Sequence, residues 1–418
     1  MKKSRRTFIR SSAALATTFV LPSCVSNTKE AKDSSLAPTN VNAENSKDKI
    51  YEKFDPWIEV LPEAIKHNVK TLYKLSGNRP IMAVVKNNGY GLGDVNVAQI
   101  MEPMDEVVGF AAVKTEACLA LRKAGIMKPI LHIGMATDSD FLELVANDIQ
   151  LAIYNEGMHK VLDEISLKVG NPVKVHLYID TGMSRMGIPY HKALPWIEDI
   201  STSKNIEILG AFMGFTEDPD YDKVQLERLK ELNEQAAKKG IVLGKLHAAS
   251  SNAIYHFPES ALDMVRPGIS LYGAYPTYPE KEKNIAELKV AYNFKARIVR
   301  VEELRTGDSV SYGRNYIADK PVWIATIPIG HADGYLRNAV KGAKVLVNGN
   351  LYPVIGAVSA SHTIIEIGDK KEVSVGDIAI LEGADHPEIH PSHISTITGD
   401  SVYDVLMHLS SRLPKIIT

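Results

Sequence analysis

Lys86 closes the run "AVVKNNGYGLG" (83–93), where three apolar residues lead directly into a cation, two asparagines, glycines and a tyrosine. An apolar run of this kind reads as a strand leaving a core. A lysine at its end loses hydration, which favours the neutral amine and makes it a candidate Schiff-base nucleophile. The alternative is a lysine whose stem lies along apolar surface while its ammonium stays in water. Other chemistry-bearing residues recur at the ends of apolar runs. They are the turn from Asp180 to Arg185, the end of "GAFMGF", His247 to Ser251, and Arg266 to Tyr272.

The elements that must position these residues follow from the pattern around them. From about 80 to 275, short apolar runs alternate with amphipathic, helix-like stretches. The runs are "IMAVVK", "VVGFAAV", "KPILHIG", "LAIYN", "KVHLYID", "EILGAFMGF", "GKLHAAS" and "DMVRPGISLYG". Stretches such as "DFLELVANDI", "MHKVLDEISLKV" and "YDKVQLERLKELNEQAAKKG" lie between them. Eight strand–helix units predict an α/β fold, a (β/α)8 TIM barrel, with the shortlisted residues at the strand ends that face an active site. After Pro276 the texture becomes strands with Gly, Asn and Asp turns and almost no helix. "VNGNLYPV" reads as a hairpin. The organisation expected is an export signal (1–24), a flexible linker (25–55), a barrel (56–284) and a C-terminal mainly-β domain (285–418).

Six ordered motifs sharpen the reading: "AVVKNNGYGLG", "DTGMSRMG" (180–187), "LHAASSNA" (246–253), "DMVRPGISLYG" (263–273), "VSYGRNY" (310–316) and "IPIGHADGY" (327–335). Together they resemble the alanine racemases, pyridoxal-phosphate enzymes of fold type III, over essentially everything after residue 55. The resemblance implies that Lys86 carries pyridoxal 5'-phosphate and acts as one acid/base, and that Tyr312 is the second base on the opposite substrate face. It implies that Tyr90, Ser251, Gly268 and Ile269 hold the cofactor phosphate, that Arg266 faces the pyridine nitrogen, and that His247 tunes it or is an ordinary core histidine. Arg185 is implied to bind the substrate carboxylate or the cofactor's phenolic oxygen. The family's first strand, here "WIEVLP", pairs with the β-domain, and its tyrosine base comes from a neighbouring subunit, so a homodimer with shared sites is implied.

The chain departs from the family's pattern at the substrate end. Tyr178 stands where a carbamylated lysine is often found, and Gly214 where a histidine stacks near the cofactor ring. His331 replaces a tyrosine, residues 357–362 including Ala360 replace "RVCMDQ", and Ser411 replaces a further tyrosine. His331, Ala360 and Ser411 are therefore candidate substrate-binding residues, and a range wider than or different from alanine is expected. A decarboxylase of the same fold would place an acid opposite the ring nitrogen and a cysteine in the β-domain. Arg266 and the lack of any cysteine after Cys118 argue against it. A low-activity pyridoxal-phosphate-binding protein is the other alternative.

The composition, 45% hydrophobic and 23% charged with a net charge of −2, gives no global field for nucleic acid. The stretch Ser4 to Arg10, "SRRTFIR", resembles a twin-arginine export signal, followed by an apolar segment too short for a confident membrane span. Leu21–Pro22–Ser23–Cys24 resembles a lipobox, and lipidation at Cys24 would tether the chain to a membrane surface. A periplasmic or membrane-anchored protein is expected. Cys118, in "KTEACLALRKAG", reads as a small core residue, and clustered metal-ligating cysteines are absent.

Overall fold

A computed structural model describes residues 53–418. The candidate export signal, Cys24 and nearly all of the expected linker lie outside the described residues.

Seven parallel strands follow one another around a barrel: β2 (Ile81–Val84), β3 (Val107–Ala112), β4 (Ile130–His132), β5 (Gln150–Ile153), β6 (Val173–Asp180), β8 (Ile206–Phe212) and β9 (Lys245–His247). A two-residue strand, β7 (Ile188–Pro189), pairs beside β6. The eighth stave is residues 263–267. Asp263 and Arg266 donate backbone N–H groups to Leu246 and Ala249, while Met82 and Val84 donate to the carbonyls of Val265 and Pro267. These bonds join the last stave to the first and close the ring. The staves read as nearly continuous apolar runs because both faces are covered, by helices outside and side chains within; β2 is buried at every position. The expected helices are present at Asp138–Ala146, Met158–Val169 and Pro219–Lys238. Cys118 is buried on the helix Thr115–Lys123.

The first strand of the described chain, β1 (Trp57–Val60), does not join the barrel. It pairs with β10 (Tyr292–Arg297) and with the final strand, as expected for "WIEVLP". The C-terminal domain continues with β11 (Arg300–Leu304), β12 (Ser309–Val310), β13 (Tyr316–Ile317), β14 (Val322–Ile327), β15 (Lys344–Val347), β16 (Asn350–Ile355), β17 (Thr363–Gly368), β18 (Ile378–Gly383) and β19 (Lys415–Ile417). Nine of these strands form one sheet in the order β11-β14-β17-β16-β15-β18-β10-β1-β19. The β15–β16 hairpin turns through Asn348 and Gly349, both at positive φ, as a tight two-residue hairpin requires.

The domain holds more helix than its sequence texture suggested. Pro391–Thr398 and Val402–Met407 are helical. The first has proline at its start and the His390 ring accepting the Ser392 N–H; both are start signals too short-range to stand out in a strand-rich stretch. The second helix carries the β-domain onto the barrel mouth. A Cβ on Gly91 would collide with the Leu406 carbonyl and with Leu409.

Candidate active site

The apolar strand β2 ends at Val84, and Lys86 emerges two residues later. The next four residues all have positive φ: Asn87 (54°), Asn88 (58°), Gly89 (58°) and Tyr90 (53°). A left-handed turn of this length is strained for L-residues, and asparagine and glycine bear it best. Bonds from Gly89 N–H to the Val85 carbonyl and from Gly93 N–H to the Asn88 carbonyl hold it. The turn leaves Lys86 half-buried at the mouth and swings Tyr90 back into the core. Burial, and secondarily the Arg185 cation, lower the Lys86 ammonium below the ordinary lysine range.

Tyr90 packs against Tyr272 with ring centroids 4.9 Å apart. Tyr272 in turn donates its hydroxyl to the Val84 carbonyl (2.9 Å), fixing the end of the strand that presents Lys86. The Tyr90 hydroxyl faces Gly268, and any Cβ there would strike it. The Ser251 hydroxyl accepts N–H bonds from Gly268 (3.0 Å) and Ser270 (3.3 Å), which leaves its own proton free to donate. Ile269 opens the short 3-10 turn Ile269–Tyr272 beside this cradle. Two hydroxyls and a close-approaching backbone suit a phosphate, since glycine lets the main chain come near an anion.

Arg266 leaves the eighth stave on the inner side. Its Nη1 donates to His247 Nδ1 (2.8 Å) and to the His247 carbonyl, and its Nη2 to the Met213 carbonyl (2.6 Å). The guanidinium also lies over the Phe212 ring, 5.0 Å from its centroid. Burial lowers Arg266 to about 10, so it stays a cation at neutral pH. Among the described residues nothing bonds its Nε, which is free for a ring nitrogen acceptor. Burial, then the neighbouring Arg266 and His176, hold His247 well below the ordinary histidine range, so its ring is neutral.

The turn carrying Arg185 is shaped by Asp180, whose carboxylate accepts the N–H groups of Gly182 and Ser184. Arg185 is exposed at the rim. A Cβ on Gly214 would sit 3.4 Å from Met183 Sδ, 3.8 Å from the Tyr178 hydroxyl and 3.9 Å from Arg185 Nη2. Nothing there forbids a side chain, so Gly214 leaves space between these three groups.

The other predicted residues are on the β-domain. Tyr312 lies in a short 3-10 turn between β12 and β13 and is 80% exposed. Its turn rests on Gly356 and Ala357, not on barrel strands. His331 and Ala360 share a loop pair: the N–H groups of His331 and Ala332 bond the carbonyls of Ser359 and Ala360, and Arg337 donates to His331 Nε2 (2.7 Å). Ser411 is exposed just past the Val402–Met407 helix, its carbonyl held by Lys415 Nζ (3.1 Å). One chain thus assembles Lys86, Tyr90, Ser251, Gly268, Ile269, Arg266, His247 and Arg185 around one mouth, while Tyr312, His331 and Ala360 are carried by the β-domain, with Tyr312 exposed.

Sequence reasoning missed three residues. Tyr403 packs 6.5 Å from the Tyr90 ring, brought there by the second C-terminal helix. His176 and Gln150 lie inside the barrel behind His247. The period-two alternation His176, Tyr178, Asp180 along β6 marks one inward face, and was the available signal for His176.

Residues 60–276 match the family model described as alanine racemase, N-terminal domain, and residues 291–417 that of its C-terminal domain. The chain belongs to the alanine racemase family. An alanine racemase of Clostridium perfringens is 36% identical over 367 residues, 86% of this chain and 94% of that protein. Alanine racemase 2 of Caldanaerobacter subterraneus is 35% identical with the same coverage. The solved alanine racemase of Clostridium difficile superposes with a TM-score of 0.81 at 30% identity, over 87% of this chain and 95% of that one. The Bacillus anthracis alanine racemase, solved with bound L-Ala-P, gives 0.77 at 28% identity, over 88% and 95%. An amino-acid racemase, an isomerase, is the activity these relatives support, and the family depends on pyridoxal phosphate.

Proposed function

We propose that the barrel mouth is half of a two-base racemase site and that a second copy of the chain supplies the other half. The observation that carries this reading is the division just described. Lys86 and the cradle of Tyr90, Ser251 and Gly268 are built within one chain, while Tyr312 stands 80% exposed on the β-domain. When bound, pyridoxal phosphate supplies an electron-withdrawing ring that takes up the charge left at the substrate α-carbon. Lys86 Nζ holds or takes the α-proton on one face; its lowered affinity for a proton makes the free amine more available. The Tyr312 hydroxyl of the second copy serves the opposite face. Tyr90 and Ser251 bind the phosphate. Arg266 directs a permanent cation at the ring nitrogen and so keeps a proton off it. Arg185 orients the substrate carboxylate.

The substrate range is wider than alanine in this reading, because Gly214 leaves room and His331, Ala360 and Ser411 are small or polar where the family has larger groups. Purified protein given pyridoxal phosphate is expected to develop visible absorbance that is absent from Lys86→Ala. Chiral analysis with L-Ala, L-Ser, L-Lys, L-Arg and L-Glu then reads the range; strict alanine preference overturns it. We also infer export by the twin-arginine stretch at Ser4–Arg10, with Cys24 as a lipid anchor. Fractionation of cells expressing the full chain and its Cys24→Ser variant tests both.

A further inference from the structure

The polar interior of the barrel continues past Arg266. His247 Nε2 lies 2.9 Å from His176 Nδ1, and His176 Nε2 lies 3.0 Å from Gln150 Oε1. The three residues come from β9, β6 and the start of β5. They are 0%, 3% and 9% exposed, so these bonds lie in the low-dielectric interior, where they count for more than in water. Their direction is settled by the arginine, which has donors and no acceptor. Arg266 Nη1 donates to His247 Nδ1. A neutral ring with Nδ1 accepting carries its proton on Nε2, so His247 donates to His176 Nδ1. The same logic puts the His176 proton on Nε2, where Gln150 Oε1 receives it. Every member donates away from Arg266 and accepts from the side facing it.

We propose that His247, His176 and Gln150 form a one-way hydrogen-bond relay that fixes the Arg266 guanidinium toward the cofactor, with His176 and Gln150 as positioning residues. This rests on the cofactor reading of the mouth. A relay ending in a neutral amide has no charge to trade. The groups that face the two rings are Arg266 from the eighth stave and Phe212 from β8, stacked on His247 at 5.0 Å; Tyr178 stacks on the far side of Phe212 at 4.3 Å. No carboxylate bonds either ring among the described residues. Burial, and then the Arg266 cation, lower His176 to about 4, so both rings stay neutral across the working pH range. The guanidinium therefore meets a lone pair at His247 at all such pH values and never a second cation.

The test uses the full chain with and without pyridoxal phosphate. Nitrogen-15 histidine NMR of the apoprotein should show both rings as Nε2–H tautomers that do not titrate above about pH 5. An Nδ1–H tautomer, or titration near the ordinary histidine range, overturns the relay whether or not cofactor binds. His176→Phe removes both bonds and should weaken cofactor binding on the order of tenfold, whereas His176→Asn, which keeps an acceptor at the Nδ1 position, should recover most of it. Equal loss in both variants contradicts a directed relay and leaves only packing. Gln150→Glu places a carboxylate at the far end. It should give cofactor affinity a new inflection between about pH 5 and 8, as His176 becomes protonable. An unchanged profile in a folded Gln150→Glu variant overturns the proposal. Failure of the wild-type chain to take up pyridoxal phosphate would instead sink the cofactor reading, with the NMR result still deciding the relay.

Discussion

The barrel mouth and the β-domain face that carries Tyr312 differ in how finished they are. At the mouth, Arg266 is held through two of its nitrogens, Ser251 by two N–H groups, and Tyr90 is sealed between Tyr272 and Tyr403. On the β-domain, Tyr312 projects from a turn in which Ser311 and Arg314 also have positive φ. Backbone strain persists only where something over-determines it, and an exposed aromatic gains nothing from facing water. The mouth is ordered within one chain, while Tyr312 is left exposed on the β-domain. The proposed pairing of two copies would bring them together.

That contrast can be broken first at Lys86. Lys86→Ala should abolish racemisation and the visible absorbance of bound cofactor; retained turnover would remove the lysine from the mechanism. Tyr312→Phe should keep the absorbance and lose about 10²- to 10⁴-fold in interconversion, the usual contribution of one general base. Equal loss of cofactor binding and turnover would mean that the tyrosine is structural. Ser251→Ala removes one phosphate donor and two acceptor contacts to the backbone. It should weaken cofactor binding by about tenfold and leave turnover at saturating cofactor nearly unchanged.

The smallest effect falls in the β-domain. Glu382 is fully buried, with its Oε2 near the Tyr292 hydroxyl (3.1 Å) and its Oε1 unpartnered. Burial raises its carboxyl to about 8. The folded state thus holds this proton more tightly than the unfolded chain. Its contribution is fully present below the unfolded carboxyl range and is lost as pH rises toward about 8. Glu382→Gln should flatten that slope and raise the melting temperature by roughly 2–4 °C near pH 8. A parallel pH profile for the two proteins would refute it.

The barrel was legible because its staves are short apolar runs at regular spacing, and even the eighth, "DMVRPGISLYG", kept that signature despite its proline and glycines. The grouping of Lys86, Arg266 and His247 at the mouth was legible for a related reason: each stands at or just beyond such a run. The relay was not, since His176 and Gln150 sit on different strands and meet only when the barrel closes. Tyr403 was missed because the helix Val402–Met407 is six residues long and owes its place to packing on the lysine turn rather than to its own periodicity. The left-handed turn at Asn87–Tyr90 was visible only as an unusual Asn-Asn-Gly sequence.

In the proposed dimer, one working site needs Lys86 from one chain and Tyr312 from the other. Two inactive proteins, Lys86→Ala and Tyr312→Phe, test it directly when unfolded together and refolded as a mixture. A mixed dimer contains one site with both native residues and one with neither. With random pairing, half of the dimers are mixed, so the mixture should recover about a quarter of wild-type activity. A mixture as inactive as its two components would contradict the account.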